Sequence, residues 1–282
     1  MAMTPPPPKW LDLLATPQVS QTMGKLVGAR APKPILKAAI RTFARAYKVD
    51  LDEAAEPIES FDTFQAFFTR KLKAGARPVE QAADVLPSPA DGVLSAFGTL
   101  ESSTLIQAKG VEYTLDALLG GSDDADPYRN GCYAVVYLAP NNYHRVHTPW
   151  RGTVARWRYL PGALYPVNQM GLRHVHGLFA RNERIVGHCE TEFGPAALVM
   201  VGATCVGHMR VAFTDLACNE GHPGSGLRPC APLLATERGD EFGVFEMGST
   251  VVLVMQRRDL RPALAVPSPI RMGEAMLRAA DA

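Results

Sequence analysis

Apolar residues recur at helical spacing early in the chain and in short runs later. Ile35, Leu36, Ala39, Ile40, Phe43 and Tyr47 lie along one side of a helical repeat, while Lys37, Arg41, Arg45 and Lys48 lie along the other. A basic amphipathic helix is therefore predicted, introduced by Pro32 and Pro34 and ending near Tyr47. A second helical segment, roughly Phe61 to Lys73, turns Phe61, Phe64, Phe67 and Phe68 to one side, as core packing requires. From about Leu86 the texture changes to apolar runs separated by Gly, Pro, Asn and Asp. Gly92 to Phe97, Tyr133 to Leu138, Thr153 to Tyr159, Ala197 to Val201 and Val251 to Met255 read as strands. The pattern predicts an α+β fold, with N-terminal helices followed by a β-rich core of barrel or sandwich type. The Pro5 to Pro8 run reads as a disordered lead, and no repeat at a solenoid period is found.

Composition narrows this picture only slightly. A hydrophobic content of 47% is ordinary for a globular core. Cys132, Cys189, Cys205, Cys218 and Cys230 are odd in number and contain no C-x-x-C pair, so a reducing, cytoplasmic setting fits better than a disulfide framework or a zinc knuckle. No stretch reaches the ~18 apolar residues of a membrane-spanning helix, and no clear secretory signal precedes Trp10. Charge changes the picture more. The net charge is +1, yet Lys9, Lys25, Arg30, Lys33, Lys37, Arg41, Arg45 and Lys48 face only Asp12 within the first 48 residues. Such a segment suits an anionic membrane surface, although a surface helix packed on its own domain would look the same.

Reactive side chains gather beside backbone punctuation in Ser88-Pro89-Ala90-Asp91-Gly92, in Tyr143-His144-Arg145-Val146-His147-Thr148-Pro149 and in Met247-Gly248-Ser249-Thr250. The spacing of His144 and His147, with the pair His174 and His176, leaves a zinc hydrolase open, although neither pair matches H-E-x-x-H. A membrane-binding β-domain without catalysis is a further alternative. Gly248-Ser249 stands where a loop enters a β-branched run. Glycine leaves its carbonyl open to approach, and a serine hydroxyl supplied with a base can attack it. His147 with Asp91 is the natural base.

Together with Tyr47-Lys48-Val49-Asp50, Leu178-Phe179-Ala180-Arg181-Asn182-Glu183-Arg184 and Val201-Gly202-Ala203, these blocks make the chain resemble the phosphatidylserine decarboxylases of bacteria and mitochondria, over most of its length. Met247 and Pro166 depart from the usual residues, which bears on the substrate pocket rather than the chemistry. The resemblance implies a proenzyme that cuts itself between Gly248 and Ser249, giving chains 1–248 and 249–282, with Ser249 becoming a pyruvoyl group. Asp91, His147 and Ser249 would act in the cut, and His144 would protonate the decarboxylated carbon. The pyruvoyl group, the one covalent cofactor, would form a Schiff base with the serine headgroup, and no metal is expected. Residues 1–75 would be the helical, membrane-associating region and 76–282 the catalytic domain. The implied partners are phosphatidylserine, an anionic membrane surface at the cytoplasmic face of the inner membrane, and the two subunits of one chain. A homodimer stays open and no nucleic-acid partner is expected. Arg145 and Asn182 read equally as headgroup contacts or as structural residues.

Overall fold

Three helices open the chain in the computed structural model, which describes residues 8–101, 104–107, 111–204, 208–215, 226–246 and 249–280. They are α1 (Lys9–Leu14), α2 (Pro17–Gly28) and α3 (Lys33–Tyr47). The last two carry proline in their first turn, where the missing N–H has no intrahelical acceptor. Helix α3 buries Leu36, Ile40 and Ala44 against Val49, Phe61 and Phe67, and it ends where Lys48 takes a left-handed conformation at φ 57°. Much of its apolar stripe is thus internal packing rather than a free lipid-facing side. Part of its charge is also matched, with Lys33 bound to Asp62 at 2.7 Å and Lys37 to Glu59 at 3.4 Å.

The second predicted helix is much shorter than its pattern suggests. Helix α4 (Phe64–Phe68) starts at Thr63, whose side chain accepts the Ala66 N–H, and stops at Thr69. Beyond it the chain is drawn into pairing with residues 53–55, through Ala55 N–H to Lys71 O and Lys73 N–H to Glu53 O at 2.9 Å each. Those tertiary bonds outweigh continued helix in an aromatic segment of modest propensity.

The strands begin with β1 (Val85–Pro87), β2 (Gly92–Thr99), β3 (Thr104–Gln107) and β4 (Val111–Thr114). Helices α5 (Leu115–Leu119) and α6 (Ser122–Ala125) lead to β5 (Cys132–Leu138), β6 (Arg145–His147) and β7 (Gly152–Leu160). Helices α7 (Gln169–His174) and α8 (Leu178–Arg181) precede β8 (Arg184–Thr191), β9 (Gly194–Val201) and β10 (Met209–Val211). The chain closes with β11 (Leu227–Thr236), β12 (Glu241–Phe245), β13 (Ser249–Met255), β14 (Leu260–Pro262), β15 (Ser268–Ile270) and β16 (Ala275–Ala279). Each of the five runs predicted as strand lies in one of these, in β2, β5, β7, β9 and β13.

The main sheet is antiparallel and open, in the order β11-β7-β8-β9-β13-β5-β2-β15. Strand β13 is buried along its whole length and is paired on both sides, with Val252 opposite Val135 of β5 and Val199 of β9. Its β-branched residues suit a central strand with no solvent face. Smaller sheets, β1-β16-β14 and β10-β12-β6, lie beside it. The α+β class holds, with the core built from open antiparallel sheets. Helix α1 packs with this core: Leu11 and Ala15 are buried in it, and the Tyr165 hydroxyl donates to Asp12 at 2.7 Å.

Candidate active site

Two antiparallel pairs bring the predicted residues into one region. Ser249 at the head of β13 lies across from Leu138 at the end of β5. Nearby, β12 pairs with β6, and the Phe245 N–H donates to the His144 carbonyl at 3.0 Å. Segments 132–138 and 249–255, and segments 145–147 and 241–244, therefore run side by side. His144 precedes one of these paired segments and Ser249 opens another. Gly248, and Met247 before it, lie outside the described residues.

The block around Asp91 approaches from β2. The His147 N–H donates to the Pro89 carbonyl at 2.8 Å, and the Ser88 hydroxyl fixes the turn by donating to Ala90 O at 2.8 Å. Gly92 follows because a Cβ there would stand 2.2 Å from the Tyr137 carbonyl oxygen. No larger residue fits that approach of two backbones.

Within this frame each side chain has a distinct condition. Ser249 is wholly buried, and its Oγ has no hydrogen-bond partner among the described residues. His144 is also wholly buried, with its ring 4.1 Å from that of Phe68 and its Nδ1 2.8 Å from the Asn142 carbonyl. A carbonyl can only accept, so Nδ1 carries the hydrogen and Nε2 presents a lone pair with no partner. Burial lowers the His144 pKa to about 3, well away from the near-neutral titration that an exposed histidine would show. His147 is fixed in the same tautomer, with Nδ1 2.7 Å from Gly239 O and Nε2 3.1 Å from the Tyr143 hydroxyl. Burial lowers its pKa too, against the opposing pull of the Gly239 carbonyl. Burial pushes Tyr143 up to about 12, so the phenol keeps its proton and is the donor to His147.

Asp91 is not hydrogen-bonded to His147, as a base-orienting aspartate would be. Its two oxygens take Nε and Nη2 of Arg77 at 2.8 and 2.7 Å, and Oδ1 also accepts the Met272 N–H at 2.9 Å. Arg77 reaches Glu53 as well, at 2.9 and 2.7 Å. Burial would lower the Arg77 pKa, but its bonds to Asp91 and Glu53 outweigh that and raise it. Asp91 is thus a fixed anion whose field favours a charged His147 without touching the ring.

The described histidines do not gather into a metal set. His144 and His147 flank and end a strand rather than share one side of a helix, and His174 is the last residue of α7. Among the described residues no three His, Cys, Asp or Glu side chains converge on a metal position. Arg145 and Asn182 are committed to structure. Arg145 binds Thr69 O at 3.0 Å and Glu241 at 2.6 Å, while Asn182 ties Tyr165 to Gly202. Sequence reasoning missed Arg77, Tyr143 and Gly239. Tyr143 stood inside a recognised block, whereas nothing in the pattern ties Arg77 or Gly239 to the histidines.

The chain is similar to known proteins over most of its length. A family model described as phosphatidylserine decarboxylase matches residues 64–278. The chain is 39% identical to a phosphatidylserine decarboxylase proenzyme of Myxococcus xanthus, covering 94% of this chain and 95% of that one. A protein of the same description from an Anaeromyxobacter species is 43% identical, again over 94% and 95%. One from Vibrio cholerae is 40% identical over 91% and 92%.

Proposed function

Because the chain belongs to the phosphatidylserine decarboxylase family, we propose that it converts phosphatidylserine to phosphatidylethanolamine and carbon dioxide after cutting itself between Gly248 and Ser249. The observation that carries this reading is the orphaned Ser249 hydroxyl, wholly buried at the first position of a strand held on both sides. A buried hydroxyl without a partner costs stability, about 1 to 3 kcal/mol, which is expected where a group is kept ready to react.

In the first reaction Ser249 Oγ attacks the Gly248 carbonyl, its proton passes to His147, and the amide nitrogen leaves carbon for the proton that His147 returns. The backbone then runs through an ester. His147 suits this role because it is neutral, and because its Nε2 lone pair already meets a hydroxyl, that of Tyr143. Asp91, fixed by Arg77, stabilises the imidazolium through its field. Removal of the Ser249 Cα proton expels the Gly248 carboxylate, and hydrolysis of the resulting dehydroalanine releases ammonia and leaves a pyruvoyl group. That group supplies an electron sink for the pair left when carbon dioxide departs. His144 then has the task of delivering a proton to carbon. Its buried ring disfavours the charged form, so once protonated it is a strong donor.

Membrane contact belongs to the same reading, with the enzyme peripheral at the cytoplasmic face of the inner membrane. No described helix is long and apolar enough to span a bilayer. Trp10 and Leu13 of α1 and Leu26 of α2 are exposed near the basic N-terminal residues, and such a surface can rest among headgroups. The reading is tested by variants assayed on phosphatidylserine micelles and by gel. Ser249→Ala and His147→Ala should stay full length and inactive, whereas His144→Ala should be cut yet decarboxylate poorly. Equal cutting and equal activity in both histidine variants would contradict this division of roles.

A further inference from the structure

Arg70 is a buried cation without a bonded counterpart. It follows α4, is 6% exposed, and its side chain makes no hydrogen bond or ion pair among the described residues; its Nε is sealed from solvent with nothing to donate to. Its guanidinium lies 5.2 Å from the Phe67 ring centroid, a contact that steadies the charge but satisfies none of the N–H groups. Buried charges are normally paired, so an unpaired arginine in a closed setting calls for an anion.

The cleft that Arg70 lines, about 400 Å³, has room for one. Four acids also line it, two of them paired with arginine and two, Asp50 and Glu274, bonded to backbone N–H groups. Asp91 and Glu53 hold Arg77, Glu53 also takes Arg271 at 3.2 Å, Asp50 accepts the Asp52 N–H, and Glu274 accepts the Arg271 N–H. Of the four lining cations, Arg77 and Arg271 are used in those pairs, while Arg70 and Lys48 are not. Asn142 turns its amide oxygen to the Ala139 N–H at 2.7 Å, which leaves its NH2 as a donor. The cleft therefore offers two cations without a bonded carboxylate among the described residues, of which Arg70 is buried, and an amide.

Its wall is also the wall of the reactive region. Asn142 holds His144 through its carbonyl, Tyr143 lines the cleft and binds His147, and Phe68, two residues before Arg70, packs on His144. Lys48 immediately follows α3, whose last residue, Tyr47, is 48% exposed. An exposed aromatic beside a lysine is the pairing found where protein meets lipid headgroups.

Resting on the decarboxylase reading, we propose that Arg70, with Lys48 and Asn142, binds the phosphodiester of the lipid headgroup. Of the two anions in phosphatidylserine, the carboxylate is a poor match for this arginine. A cation clamped on it would stabilise the ground state and oppose its loss as carbon dioxide. The phosphodiester is unchanged by the reaction, so holding it contributes equally to substrate and transition state. Loss of Arg70 should accordingly raise KM and leave kcat nearly alone.

The test is calorimetric titration of the purified full chain with glycerophosphoethanolamine, ethanolamine and inorganic phosphate, repeated on Arg70→Gln and Arg70→Lys, each first checked by thermal unfolding. Expected are binding of glycerophosphoethanolamine, at least tenfold weaker in Arg70→Gln and partly restored in Arg70→Lys, with ethanolamine indifferent to either change. In turnover, Arg70→Gln should raise KM about tenfold with kcat within about threefold. Equal affinity in all three proteins would overturn the proposal. So would inorganic phosphate binding as tightly as glycerophosphoethanolamine, which would mark a free-phosphate site, or a loss confined to kcat. An uncut, inactive wild-type chain would instead count against the decarboxylase reading, and the titration would still read Arg70.

Discussion

At the scale of single residues, the buried histidines are held away from water in their neutral forms. Burial pulls His144 to about 3 and His188 to about 4, and lowers His147. In each case the folded pKa lies below the unfolded value of about 6.5, so the unfolded chain binds more protons as pH falls below that point. The stability they contribute is fully present above about pH 6.5 and is lost on acidification, at about 1.4 kcal/mol per pH unit for each group while its folded form stays neutral. Between pH 6.5 and 5 the urea midpoint should therefore fall, and His144→Asn should make the fall shallower. A midpoint that is flat over this range would contradict neutral burial. Asp91, His144, His147 and Ser249 were singled out in the sequence by the company their blocks keep and by the family resemblance. Their actual partners were not. Asp91 is neutralised by Arg77 and the Met272 N–H, and His147 is oriented by Gly239 O, contacts that only the folded chain creates. Arg70 was equally hidden, since an unpaired arginine looks like any other until its surroundings are known.

At the scale of elements, the strands were easier to read than the helices. Strand β13 announces itself through Val251, Val252, Leu253 and Val254, which have no polar alternation because neither face meets solvent. The segment near Phe64 misled because its apolar spacing suits a long helix, while bonds to residues 53–55 end it at Phe68. The periodicity of α3 was right about the helix and ambiguous about its purpose, since Leu36 and Ile40 turn inward to Phe61 and Phe67. A cut before Ser249 would leave β13, β14, β15 and β16 in the small chain, with β13 paired to β5 and β9, β15 to β2 and β16 to β1. The two pieces should elute as one species in native size exclusion and separate only in denaturant. Spontaneous separation in buffer would show that this pairing does not hold them.

At the scale of the whole molecule, the proposed function assigns the lipid contact to one end of the chain and the reactive group to the other. Trp10, Leu13 and Leu26 are exposed on the N-terminal helices, while α1 is anchored to the main core through Leu11, Ala15 and Asp12. These exposed residues of α1 are thus fastened to the body that holds the site. Replacing Trp10 and Leu13 together by Ser should reduce co-sedimentation with anionic vesicles severalfold and leave self-cutting intact, because both side chains are exposed. Unchanged sedimentation would move the membrane contact elsewhere.

Everything in the functional account depends on the bond between Gly248 and Ser249. The most direct test is the intact mass of the purified wild-type protein under denaturing conditions. The account predicts two chains, 1–248 and 249–282, the smaller one lighter than the unmodified peptide by one ammonia and closed to N-terminal sequencing. A single full-length mass from a preparation that decarboxylates phosphatidylserine would contradict it.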